Sequence, residues 1–239
     1  MKISIIIPTL NEEKFIGNTI TQFLPYTIQN GIDIIVSDNG SSDKTGEIVR
    51  RLGVMFIPNK GKRRTIGETR NIGAEHALGN ILLFCDADTR IKDVKGLLDE
   101  ILIIFKDQNI VAAMPRIEIM PDQLVWTDRI YHFIYNNTVC FSFFLGMPFG
   151  AGQCQIVRKR TFNEIKGYQI GQVFGEDTTL FRRISRLGKM KFLKNQVVYE
   201  SPRRFRKHGY IVQAAKGTAC HLKRIFFKKD LVNEWDRVD

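Results

Sequence analysis

Apolar runs and helical stripes alternate along the first half of the chain. "KISIIIP", from Lys2 to Pro8, is a short apolar run closed by proline, which predicts a buried strand. Phe15, Ile16, Ile20, Phe23 and Leu24 then recur at helical spacing, and Pro25 is expected to stop that helix. "IDIIVSD" predicts a second strand; Ser41, Ser42 or Asp43 can cap a helix carrying Ile48, Val49 and Leu52, ended by Gly53. "VMFI" predicts a third strand, a helix from about Thr65 to Leu78 follows with Gly79 as its stop, and "ILLFC" makes a fourth strand. Val94, Leu97, Leu98, Ile101 and Phe105 give the next helix and "IVAAM" the next strand. Alternating βα units predict an α/β/α sandwich, Rossmann-like, around a mostly parallel sheet with right-handed crossovers.

Such sheets bind ligands beyond the carboxyl ends of their strands. Polar clusters fall there: "TLNEE" after the first strand, "DNGSSD" after the second and "DADTR" after the fourth, so the three loops are expected to meet on one rim. Asp86 and Asp88 stand one residue apart at a strand end. Like charges that close repel, so the pair is best explained by a cation or proton between them, or else by two caps of the helix starting near Lys92.

With 239 residues, 44% hydrophobic and 26% charged, the composition is that of an ordinary globular protein, read as a single domain. "VCFSFFLGMPF" is too short to span a bilayer and is interrupted by Gly146 and Pro148. Met1 leads directly into a strand pattern without a signal-peptide pattern, and Cys85, Cys140, Cys154 and Cys220 lack disulfide or metal spacing; both point to a cytoplasmic protein with reduced thiols. The net charge of +11 suits a polyanion: nucleic acid, an anionic membrane face or a phosphate-rich substrate. Nucleic acid fits poorly, because no binding motif is present and acids occupy the loops that should face the ligand.

Four segments in order, "IIIPTLNEEKFI", "IIVSDNGSSDKT", "GETRNIGAEHALGNILLFCDADT" and "GEDTTLFRRISRLG", resemble the successive motifs of family-2 glycosyltransferases of the GT-A fold, over roughly Lys2 to Leu193. The resemblance implies inverting transfer of a sugar from a UDP- or GDP-linked donor to a glycan hydroxyl or lipid-linked acceptor, with Mn²⁺ or Mg²⁺ as cofactor. It implies one catalytic domain over 1–239, with a nucleotide-binding half (1–110), an acceptor half (111–200) and a basic helical tail (201–239).

On this resemblance Asp88 is the direct metal ligand, and Asp86 contacts the ribose or the metal. Pro8, Thr9, Leu10, Asn11, Glu12, Asp38 and Asn39 hold the nucleoside, and Arg70 matches the arginine placed beside the diphosphate. Asn39 stands where many members carry a second acid, which leaves the base, uracil or guanine, open. Gly67 is expected to let backbone approach the ligand, while Lys62, Arg63 and Arg64 are either phosphate ligands or a solvated loop. Asp177 matches the catalytic base, with Glu176 as its neighbour; both also suit the acidic first turn of a helix whose stripe is Leu180, Phe181, Ile184 and Leu187. Gly150, Ala151 and Gly152 are small enough to floor an acceptor pocket.

His208 follows "SPRRFRK" and could complete a metal shell, as a C-terminal histidine does in some GT-A enzymes; His76, His132 and His221 read as packed or surface residues. From about Gly209 to Phe227 apolar and basic residues mix as in an interfacial helix, so peripheral contact with an anionic membrane surface is expected, with "FSFFLGMPF" as a second contact. A sugar-1-phosphate nucleotidyltransferase would also use paired acids, but "PTLNEE" lacks the glycine-rich loop such enzymes carry near the first strand. A non-catalytic nucleotide- or polyanion-binding protein is the remaining alternative.

Overall fold

The computed structural model describes residues 1–212, apart from Asn30, Lys60, Lys62 and Arg63. Eight strands form one sheet in the order β3-β2-β1-β4-β7-β6-β8-β5. The first four, β1 (Ile3–Thr9), β2 (Asp33–Asp38), β3 (Met55–Pro58) and β4 (Ile81–Cys85), are all parallel. Every residue of β1 and β4 is buried, as expected of strands covered on both faces, whose apolar runs need no alternation.

Between these strands run α1 (Ile16–Thr21), α2 (Leu24–Gln29), α3 (Thr45–Arg51) and α4 (Ile66–Glu75). Pro25 does not end the first helix; it sits in the first turn of α2, where its missing N–H has no intrahelical partner to lose. The caps also differ from expectation. Lys44 is the N-cap residue of α3 and makes no side-chain cap, while Asp43 accepts the Thr45 N–H at 2.9 Å. Thr65 opens α4 with a capping box, taking the Glu68 N–H and returning its own N–H to the Glu68 carboxylate at 3.0 Å.

Beyond β4 the strict alternation ends. β5 (Arg90–Ile91) is a two-residue strand at the far edge, α5 (Val94–Ile104) is capped by Asp93 rather than by Asp86 or Asp88, and β6 (Ile110–Ile119) does not pair with β4. β7 (Cys154–Arg158) lies between them, antiparallel to both. β8 (Lys189–Glu200) runs parallel to β6 and antiparallel to β5, with a register shift at Pro115, which has no N–H to give the ladder. The sheet is therefore parallel in one half and mixed in the other.

The second half also carries α6 (Trp126–Phe144), α7 (Lys159–Glu164), α8 (Glu176–Ile184) and α9 (Arg203–His208). In α8, Leu180, Phe181 and Ile184 are buried as the stripe predicts, but Leu187 lies past the helix end and is exposed. Cys85 and Cys154 face each other in register across β4 and β7 as free, buried thiols, both pushed upward in pKa, chiefly by burial. No helix among the described residues is long and apolar enough to cross a membrane.

Candidate active site

Arg70 organises the site. It lies on α4 and is only 1% exposed, yet its guanidinium reaches three acids from two other segments, Asp86 after β4 and Glu176 with Asp177 at the start of α8. One terminal nitrogen bonds Asp177 Oδ1 at 2.7 Å and Glu176 Oε1 at 3.3 Å; the other bonds Asp86 Oδ1 at 2.8 Å and the Gly152 carbonyl at 3.2 Å. A planar fork with fixed donors is the side chain able to bind several carboxylates at set angles, and lysine could not replace it here. The Tyr168 ring packs against it, 5.4 Å from ring centre to guanidinium carbon.

Charge follows from that packing. Burial opposes the charge on Arg70, but Asp177, Asp86 and Glu176 outweigh it and hold its pKa above the ordinary value. Burial raises the Asp86 carboxyl to about 6, with Arg70 pulling downward and Asp88 pushing upward. Glu176 is raised to about 8, first by burial and then by the charge of Asp177. Burial and the neighbouring Asp177 charge thus both favour a proton held within the carboxylate cluster, and the Arg70 charge opposes it.

Glycines allow close packing. A Cβ on Gly152 would lie 2.8 Å from the Arg70 guanidinium, 3.0 Å from Asp177 Oδ2 and 3.4 Å from Asp86 Oδ2, so a residue without a side chain lets this loop press against the guanidinium and the second oxygens of both carboxylates. Gly150 is pinned from below, its N–H donating to the Thr178 hydroxyl at 3.1 Å, and a Cβ there would meet the Asp177 carbonyl at 2.5 Å. Ala151 is buried between them. Gly67, by contrast, does not present backbone to a ligand: a Cβ there would press on Tyr168 at 3.0 Å, so its smallness seats the ring that backs Arg70.

The loops of the parallel half meet on one rim, as the topology predicts. Thr9 donates to Asp38 at 3.2 Å, the Asn11 N–H donates to Ser41, Asn11 Oδ1 accepts the Ser42 N–H at 2.8 Å, and the Glu12 N–H donates to Thr45 at 2.8 Å. Asn11 adopts a left-handed backbone with φ of 56°, which asparagine tolerates. Pro8 and Leu10 are buried within this bend. Asp38 accepts the Gly40 and Ser41 N–H groups, and Asn39 spends its amide on the backbone of Arg64, donating at 2.7 Å and accepting at 2.9 Å. The Asp38 and Asn39 side chains thus shape the rim's loops.

Asp86 and Asp88 differ from these in facing outward, each about a quarter exposed at the side chain. Asp88 is bonded by Arg203 of α9 at 2.9 Å, and that guanidinium stacks on the Phe15 ring at 4.3 Å. No group of three or more His, Cys, Asp or Glu side chains is gathered for a metal among the described residues, so His208 is not assembled with the aspartates into a shell. The donor set nonetheless fits a hard cation shared with a nucleotide, since such ions need one or two carboxylates and take phosphate oxygens and water for the rest.

Several residues here escape a motif-based reading. Glu200, closing β8, accepts from His132 at 2.9 Å and from Gln153 at 2.6 Å, tying α6 and β8 to the glycine loop. Its signal in the sequence is a lone acid after the apolar run "VVY", the same signal that marks Asp86. His132 is buried and packed, as expected, and burial acts to lower its pKa but the Glu200 contact raises it overall. Tyr135 lies in the field of both Glu200 and Asp177, and its hydroxyl pKa is pushed up mainly by burial.

A parallel half that carries loops and acids at its carboxyl edge, joined through a buried arginine to a mixed half with a small-residue loop, defines a GT-A fold. The mannosyltransferase PcManGT of Pyrobaculum calidifontis, solved with GDP-Man and Mn²⁺, superposes with a TM-score of 0.74 at 18% identity, covering 95% of this chain and 65% of that one. Glucosyl-3-phosphoglycerate synthase of Mycobacterium tuberculosis, solved with Mn²⁺, UDP and glucosyl-3-phosphoglycerate, gives 0.59 at 16% identity over 93% of this chain and 79% of that one. An uncharacterized glycosyltransferase of Nostoc is 29% identical over 128 residues, 50% of this chain and 38% of that protein, so the chain spans well under half of that relative. Residues 4–166 match the family model of glycosyl transferase family 2, and the chain belongs to that family.

Proposed function

We propose that this protein transfers a sugar, with inversion, from a UDP- or GDP-linked donor to a glycan hydroxyl or lipid-linked acceptor. The observation that carries the proposal is the meeting of Asp86, Glu176 and Asp177 on Arg70 against the Gly152 loop. Family membership gives this reading preference over the nucleotidyltransferase and the non-catalytic binder.

In this reading the rim built by Pro8 to Glu12, Asp38 and Asn39 receives the nucleoside, and Asp86 faces its ribose. Asp88, with Asp86, would hold Mn²⁺ or Mg²⁺, which when bound offsets the negative charge that grows on the diphosphate. Asp177 Oδ2 takes the proton of the acceptor hydroxyl as that oxygen attacks the anomeric carbon. The bond from that carbon to the diphosphate breaks, and the nucleoside diphosphate leaves with the electron pair. Arg70 fixes the Asp177 carboxylate through Oδ1, so the other oxygen is held facing the Gly152 loop. Glu176, bonded to the same guanidinium nitrogen as Asp177, helps to hold Arg70 in place beside it.

The test is release of UDP or GDP from a panel of nucleotide sugars, with Mn²⁺ or Mg²⁺ and with EDTA. Metal-dependent release from one donor class, lost in Asp177→Asn, is the expected result. Absence of release from every UDP- and GDP-sugar with either metal, together with absence of nucleotide binding, would overturn the reading.

A further inference from the structure

Helix α6 is inside out. Its buried positions are Asp128, His132, Asn136, Val139 and Ser142, four of them polar, whereas Trp126, Ile130, Phe133, Ile134, Phe141 and Phe144 are exposed. At about 100° per residue these six fall within a stripe about 100° wide, opposite the polar face. The buried polar groups are fully used: Asn136 exchanges two hydrogen bonds with the backbone of Ile117, His132 bonds Glu200, Asp128 pairs with Arg206 at 2.6 Å, and Ser142 accepts the Phe149 N–H. The helix therefore cannot rotate to hide its apolar stripe. Trp126 stays 72% exposed and Phe144 84% exposed.

A stripe of this size calls for a covering partner. From Ile130 to Met147 no exposed residue carries a formal charge, so the centre of the contact has no ion to desolvate; the exposed polar side chains of Asn137 and Thr138 donate to the backbone of Phe133 and Ile134. Cations stand at one end. Arg129 is exposed in the first turn of α6, and α9, whose Lys207 is exposed, packs on that half through Phe205 and the Arg206–Asp128 pair. The chain leaves the described part at Val212 beside the same half, Tyr210 lying 4.6 Å from the Tyr131 ring, with Ile211 and Val212 exposed. An apolar aromatic face rimmed by cations on a chain of net charge +11 complements an anionic bilayer; two copies of the chain would repel each other.

We infer that the outer face of α6 seats the protein on an anionic membrane surface, with its aromatic side chains in the headgroup region, so that the acceptor is carried by the membrane. Only the acceptor clause rests on the transferase reading. Met147, at the end of the stripe, precedes Gly150 by three residues, so the seated helix leads straight into the glycine loop beside Asp177.

Trp126 and Trp235 are the two tryptophans, so the full-length Trp235→Phe variant isolates Trp126 as a reporter. Its fluorescence and its quenching by acrylamide are followed with and without vesicles of phosphatidylcholine and phosphatidylglycerol, at several protein concentrations. The proposal expects ready quenching in solution, shielding and a blue shift on the mixed vesicles, and about tenfold weaker binding in high salt. Phe133→Ser with Phe141→Ser and Phe144→Ser should weaken vesicle binding at least about tenfold, as loss of buried apolar area dictates. That variant should keep its melting temperature and its Mn²⁺-dependent binding of UDP or GDP, which separates failure of the membrane seat from failure of the transferase reading. Shielding without vesicles at every concentration would give the face to residues 213–239, and shielding that grows with concentration would give it to a second copy. Either result, or undiminished vesicle binding by the triple variant, overturns the proposal.

Discussion

The two halves of this sheet solve the same problem differently. The parallel half buries β1 and β4 completely and spends its loop side chains on one another: Thr9 on Asp38, Asn11 on Ser42, Asn39 on Arg64. The mixed half brings its acids from separate elements, Glu176 and Asp177 from a helix start and Glu200 from a strand end, and fixes them through partners distant in sequence. A rim that is pre-stitched suits a ligand common to many enzymes, while a face assembled from separate segments suits a partner that varies. Arg70 belongs to the first half by sequence and to the second by its contacts.

The sharpest way to separate the halves is Asp177→Asn. It should lower transfer by about 10²–10⁴-fold, the usual share of a general base, while nucleotide affinity stays within about threefold. Comparable loss of nucleotide binding would show that the halves are not functionally divided. Arg70→Met tests the joint between them. It leaves the buried Glu176 and the partly exposed Asp86 and Asp177 without their buried cation, and should destabilise the fold by about 3 kcal/mol in urea melts at neutral pH. An unchanged midpoint would mean that the cluster does not hold the halves together.

Gly152→Ala probes the close packing of the loop rather than the charges. With contacts of 2.8 and 3.0 Å awaiting the new methyl, overpacking should cost about 1–3 kcal/mol of stability and lower transfer more than nucleotide affinity. The smallest effect concerns His132, which stands in the mixed half alone. Its folded pKa is raised above the unfolded value of about 6.5 by Glu200, despite burial. Its contribution is therefore complete below the unfolded value and fades as pH rises through the folded one. His132→Gln should remove that pH dependence and cost about 1 kcal/mol at pH 6, read by thermal melts at a series of pH values.

The same contrast decides how much could be read from sequence. β1, β2 and β4 announce themselves as unbroken apolar runs, and the loops after them could be placed on one rim because parallel strands put all their carboxyl ends on one side. The insertion of β7 between β4 and β6 was not legible, since antiparallel pairing between distant segments leaves no local periodicity. α6 was illegible for another reason: its polar residues face inward, so the usual assignment of apolar positions to the core points the wrong way. Asp86, Asp88 and Asp177 were legible as acids at element ends, whereas Glu200, Gln153 and Tyr168 matter only through contacts made by the fold. The expected amphipathic helix from Gly209 to Phe227 falls largely on residues 213–239, which lie outside the described part.

The central claim is that Asp88 and Asp177 stand on opposite sides of one reaction, the donor's and the acceptor's. Calorimetric titration of UDP and GDP, with and without Mn²⁺, into wild type, Asp88→Ala and Asp177→Asn tests it most directly. One nucleotide should bind wild type and Asp177→Asn alike when Mn²⁺ is present, and Asp88→Ala should bind it at least about tenfold more weakly, a difference of about 1.4 kcal/mol. Equal, metal-independent binding by all three proteins, or no binding of either nucleotide to wild type, would contradict the account.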